Sequence, residues 1–106
     1  MKSLSIYFNR CADWLNVQTF DYRGSKDKIA EHHSPLMQAT SAEGNDKELN
    51  QDAAIKYIVN SGIEPSKLLL GLPAFGKKFR LTSDLHDLGS PATSVGSVPY
   101  SEVKII

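Results

Sequence analysis

The sequence predicts an α/β fold built around a parallel strand–helix–strand unit, and three observations predict it. The stretch from Trp14 to Ser25 (WLNVQTFDYRGS) alternates in a β-prone pattern and ends on an aspartate followed by a glycine turn. A sharply punctuated helix begins after Asn50. The run from Lys67 to Phe75 (KLLLGLPAF) is continuously apolar and of strand length, as in a strand covered on both faces of a parallel sheet.

The elements follow in order. Leu4, Tyr7, Phe8 and Cys11 recur at helical spacing, which predicts a short helix over residues 3–12 with Cys11 as a packed thiol on its apolar face. The strand then runs from Leu15 to about Asp21. Its period of two places Asn16, Gln18 and Phe20 on one face and Leu15, Val17 and Thr19 on the other. Amides inside a sheet need hydrogen-bond partners, so the first face is either a satisfied core network or the polar floor of a cleft. Residues 22–49 show neither period and read as a long loop, a class that is usually functional or disordered.

For the second helix, Asn50 is the N-cap, Ala54, Ile55, Ile58 and Val59 form one apolar stripe, and Gly62 stands where a left-handed residue ends the helix. Pro65 prevents continuation. In the apolar strand that follows, Gly71 suggests a close backbone approach and Pro73 an end or a bulge. Beyond Leu81 the Ser, Thr, Gly and Pro content (SDLHDLGSPATSVGSVP) reads as loop, and residues 100–106 (YSEVKII) have strand propensity. The order is that of one right-handed βαβ unit preceded by a helix. Two parallel strands cannot bury themselves, so the unit is expected to be part of a larger α/β fold.

Composition narrows the function classes. At 106 residues the chain is sized for one domain. Twelve acidic and twelve basic residues give a formal net charge of +0, without the cationic excess that a nucleic-acid or anionic-membrane partner requires. One cysteine excludes an internal disulfide framework. No run of eighteen apolar residues is present, and the amino terminus lacks the apolar stretch of a signal peptide.

Chemistry in parallel α/β folds sits at the carboxyl ends of strands. Those ends are residues 20–24 and 74–80, and Asp21 is the leading candidate, with a turn-stabilising aspartate as the alternative. His32 and His33 are adjacent, but only His86 remains as a further histidine, and no CxxC or HExxH accompanies them. Imidazoles bonded to loop backbone are the simpler reading, and no metal or cofactor is expected. Gly24, Gly71 and Gly76 form no phosphate-binding loop, and Ser34 and Ser66 lack the glycines of a nucleophile elbow.

Five segments, FDYRGS, HHSPL, NQDAAIKYIVNSG, SKLLLGLPAFGKKFRL and VPYSEV, occur in an order and spacing that resembles the chitinases and chitinase-like lectins of glycoside hydrolase family 18. The resemblance runs from Cys11 to Val103. It implies a partial (β/α)8 TIM barrel: residues 1–81 would supply strand six, its loop and helix, and strand seven, and residues 82–106 would begin the α+β insertion domain. It further implies an extracellular, secreted setting and chitin or an N-acetylglucosamine oligosaccharide as partner, with no nucleic acid and no membrane.

The chemistry implied by the family is substrate-assisted cleavage of β-1,4-linked N-acetylglucosamine, outside the two-carboxylate scheme. The acid is the glutamate that ends an Asp-x-x-Asp-x-Asp-x-Glu motif, and this sequence contains no such motif. These residues alone are therefore expected to be inactive. Active members read Met-x-Tyr-Asp on strand six, where this chain has Gln18, Thr19, Phe20 and Asp21. By resemblance Asp21 orients the acetamide, while Phe20 lacks a hydroxyl whose removal typically costs about 10²- to 10³-fold in rate. Gln18 puts an amide on the cleft floor, Lys26 stands where many members stack a Trp, and Phe75-Gly76-Lys77 replaces Tyr-Gly-Arg. Lys77 keeps the charge but not the bidentate fork. The changes at Phe20, Lys26, Phe75 and Lys77 each remove a polar or stacking contact to sugar, which points to chitooligosaccharide binding with weak or no hydrolysis. An active chitinase that tolerates Phe20 is the alternative, and a growth-factor-like, non-enzymatic member of the fold, compatible with Gln18, is the other.

Overall fold

The computed structural model describes residues 2–24 and 26–103. Helix α1 covers Lys2–Cys11, strand β1 Leu15–Val17, helix α2 Gln51–Asn60 and strand β2 Leu68–Leu70. β1 and β2 pair in parallel, Leu15 opposite Leu68 and Val17 opposite Leu70, so the strand–helix–strand unit is present. Strands β3 (Phe75–Leu81) and β4 (Ala92–Pro99) form an antiparallel pair beside it.

Both parallel strands are shorter than their sequence pattern predicts, for local reasons. Past Val17 the ladder gives way to a side chain: the Gly71 amide donates to the Val17 carbonyl at 2.8 Å, and the Thr19 hydroxyl then donates to the Gly71 carbonyl at 2.7 Å. Asp21, at φ 64°, is in the left-handed region and cannot extend a strand. Thr19 is the fully buried residue here, whereas Asn16 and Gln18 are exposed, so the amide face needs no internal network. A Cβ on Gly71 would lie 2.7 Å from the Val17 carbonyl oxygen, which explains the glycine.

The apolar run after Lys67 is also not one strand. It breaks across Gly71 to Ala74 and resumes as β3. Leu69, Leu70 and Leu72 are exposed, the last at 73%, rather than covered on both faces. The segment after Leu81, read as loop, contains β4. Ala92, Ser94, Gly96 and Val98 alternate inward along it, and a bulge between Lys78 and Phe79 lets the pairing skip Val95. Tyr100–Glu102 is a single 3-10 turn instead of a strand start, and residues 104–106 lie outside the described residues.

α1 packs by only a part of its apolar stripe. Leu4, Tyr7 and Cys11 are exposed while Phe8 is half-buried, and the seated face also carries Ser5 and Asn9. Asn9 donates to the Gly62 carbonyl at 2.9 Å and accepts from the Glu64 amide at 3.1 Å. Lys67 Nζ donates to the carbonyls of Asn9 and Ala12, satisfying acceptors that a helix end leaves open. Gly62, at φ 102°, brings the turn so close that a Cβ would meet Ser5 Oγ at 2.6 Å. The helix is thus held by polar bonds to one turn, which leaves Cys11 at the surface.

α2 follows its sequence signals. The Asn50 side chain accepts from the Ala53 amide at 2.8 Å and donates to the Lys47 carbonyl at 2.8 Å. The amides of Gln51 and Asp52 donate to the carbonyls of Pro35 and Leu36, so the long loop completes the cap. That loop is not shapeless. Residues 28–30 pair with residues 89–92 through a bridge between Ile29 and Pro91, and Arg23, 3% exposed, reaches Asp46 at 3.2 Å and Asp27 at 3.5 Å.

Candidate functional site

The end of β1, the start of β3 and the loop residue His33 converge on one cluster. Phe20 meets Phe75 edge to face at 5.7 Å between centroids and 87° between planes. The imidazole of His33 stacks on Phe75 at 4.9 Å and 26°. Lys77 Nζ stands 5.7 Å from the Phe75 centroid and 2.5 Å from Asp21 Oδ1.

The sequence dictates each placement. The close approach at Gly71 sets β2 against Val17 and Phe20. Ser34 donates to the Thr19 carbonyl at 2.7 Å, and Gln51 Nε2 donates to Ser34 Oγ at 2.9 Å. Through these bonds the HHSPL segment ties the first turn of α2 to the end of β1. Tyr22, next to Asp21, donates its amide to the His33 carbonyl at 2.9 Å. Burial pushes the Tyr22 hydroxyl above its ordinary value of 10.0.

Of the residues singled out from the sequence, Phe20, Asp21, Phe75 and Lys77 come together. Gln18 and Lys26 are exposed, and among the described residues no hydrogen bond, ion pair or ring contact joins either to the four. His33 is the residue sequence reasoning left outside the site. It is 8% exposed, and both ring nitrogens are used by backbone. Nδ1 accepts from the Asp21 amide at 3.0 Å, and Nε2 lies 3.1 Å from the Phe75 carbonyl oxygen. An imidazole accepting at Nδ1 carries its proton on Nε2, which therefore donates to Phe75. With both nitrogens occupied, His33 has no lone pair for a metal. Its signal in the sequence was weak, because backbone partners leave no spacing rule.

A cavity of about 310 Å³ adjoins the cluster, lined by Glu31, His32, His33, Ser34, Gly76, Lys77 and Val103. Glu31 is buried, and its two oxygens accept from the His32 amide and the Ser41 hydroxyl at 3.1 and 2.7 Å. The cluster therefore presents one carboxylate already paired to an ammonium, two phenyl rings and a fixed imidazole. It offers polar and aromatic contacts to a ligand, with Asp21 ion-paired to Lys77 and both Glu31 oxygens hydrogen-bonded within the loop.

The sequence model described as Glycosyl hydrolases family 18 matches residues 3–104. The chain belongs to that family. Chitotriosidase-1 of Mus musculus is 36% identical over 94 residues, which cover 87% of this chain and 20% of that protein. Among solved structures, human YKL-39, described as a pseudo-chitinase with retained chitooligosaccharide binding properties, aligns with a TM-score of 0.75 at 31% identity. That match covers 81% of this chain and 24% of the other. The Ostrinia furnacalis Group IV chitinase aligns with a TM-score of 0.78 at 25% identity, over 89% of this chain and 29% of the other. The chain thus spans about a fifth to three tenths of the length of these family 18 relatives. Its fold is the corresponding part of theirs. Among the described residues no helix is long and apolar enough to cross a membrane.

Proposed function

We propose that this chain is the strand-six to strand-seven portion of a family 18 (β/α)8 barrel in a chitinase-like protein that binds chitin or chitooligosaccharide with weak or no hydrolysis. Residues 1–81 belong to the barrel on this reading, and residues 82–106 open the insertion domain on the returning arm of the β3–β4 hairpin. Gln18, Phe20, Asp21, Lys26, Phe75 and Lys77 are its sugar-facing residues, and the setting is extracellular.

One observation carries the reading. The carboxylate that would orient an acetamide is held by Lys77, and the two rings flanking it, Phe20 and Phe75, carry no hydroxyl to stabilise developing charge. An Asp oxygen, an ammonium and phenyl faces suffice to hold a sugar, but they do not lower the barrier to breaking its glycosidic bond. The relationship to a pseudo-chitinase with retained oligosaccharide binding supports the same balance.

The similarity to chitotriosidase-1 favours a second reading, a fragment of an active chitinase. Fluorophore release from a chitobioside by the complete protein separates the two. The binding reading expects release at least about 10²-fold below that of ordinary chitinases from the Phe20 position alone. Release at ordinary chitinase rates would exclude it.

A further inference from the structure

We propose that His33 is a positioning residue that sets the geometry of Asp21, acting through backbone on both sides of the cleft. The proposal rests on the sugar-binding reading of Asp21 and adds what holds that residue in place. Asp21 sits at φ 64°, a state that costs a non-glycine residue energy and persists where surroundings enforce it. The enforcing contact is visible: the Asp21 amide points at His33 Nδ1, 3.0 Å away. The opposite ring nitrogen bonds the carbonyl of Phe75, the first residue of β3, at 3.1 Å.

One buried imidazole therefore spans Asp21, four residues past β1, and Phe75, which opens β3; these carry the carboxylate and one of its flanking rings. Its ring also lies flat on Phe75, which fixes the ring that Phe20 meets by its edge. Because Lys77 reaches Asp21 from the same strand, a shift between the two backbones would alter the 2.5 Å ion pair as well. The function requires an acceptor at the Nδ1 position more than it requires bulk. The side-chain oxygen of asparagine branches from the same Cγ and supplies that acceptor, whereas leucine fills similar space and supplies none.

The test uses the complete protein with His33→Asn and His33→Leu, and reads three quantities. Nitrogen-15 correlation of the histidine rings is expected to show one imidazole fixed with its proton on Nε2. Exchange of the Asp21 amide is expected to be slow in the parent, at least about tenfold faster in H33L, and slow again in H33N. Affinity for the tetrasaccharide of N-acetylglucosamine is expected to fall at least about tenfold in H33L and to recover in H33N. Equal Asp21 exchange in all three proteins, or H33L binding as well as the parent while H33N does not, would overturn the proposal. If the parent fails to bind the tetrasaccharide while Asp21 exchange still depends on His33, the positioning role stands and the sugar reading falls.

Discussion

Asp21 and Gly71 show how single residues shape this end of the chain. Asp21 turns out of the strand through a left-handed conformation that aspartate tolerates better than most residues, and its side chain is then free to meet Lys77. That side chain is 44% exposed, so the pair is screened and contributes at most about 1 kcal/mol to stability. Its consequence is directional: it engages Oδ1 and leaves Oδ2 outside the ion pair. Gly71 acts by absence, since its amide and carbonyl bond Val17 and Thr19 where a side chain would not fit. Gly71→Ala is expected to cost about 1–3 kcal/mol through forced backbone displacement. The amide of residue 71 should then exchange faster with solvent, and unchanged exchange would show that the approach is not tight.

The elements differ in how far the sequence revealed them. α2 was legible at both ends, because Asn50, Gly62 and Pro65 are local signals whose partners lie within one turn. Asn50→Ala is expected to cost about 0.5–2 kcal/mol. Circular dichroism should show reduced helicity, and an unchanged spectrum would mean that the Pro35 and Leu36 carbonyls cap the helix alone. β4 was hidden because three of its four inward residues, Ala92, Ser94 and Gly96, are small, with Val98 the exception, while Val95 faces out. The lengths of β1 and β2 were hidden for another reason. They are set by the bonds from Gly71 and Thr19 across more than fifty residues, which no local pattern reports. In the cluster, Asp21 could be named from its place at a strand end and Phe20, Phe75 and Lys77 from the family resemblance, whereas His33 depends on backbone geometry at two distant points.

At the scale of the whole molecule the interior is small and polar. The buried apolar residues among those described are Ala42, Ala92 and Val98, beside buried Thr19, Arg23, Glu31, His33, Asn50 and Gln51. Trp14, Leu69 and Leu72 are exposed, and the apolar side of α2 at Ala53, Ala54, Tyr57 and Ile58 borders an open cavity. The radius of gyration is 16.3 Å, against about 13 Å for a compact domain of this length. Neither edge of the β1–β2 pair is closed by another strand among the described residues. The 106-residue chain alone is therefore expected to unfold broadly in calorimetry, without the single sharp transition of a self-sufficient domain. A sharp, reversible transition would contradict the view that these strands need neighbours. The central claim, a sugar-binding cleft organised on Asp21, is tested most directly by retention of the protein on chitin beads with and without Asp21→Ala. The account predicts retention by the parent and at least about tenfold weaker retention by D21A; equal retention of the two, or none by the parent, would contradict it.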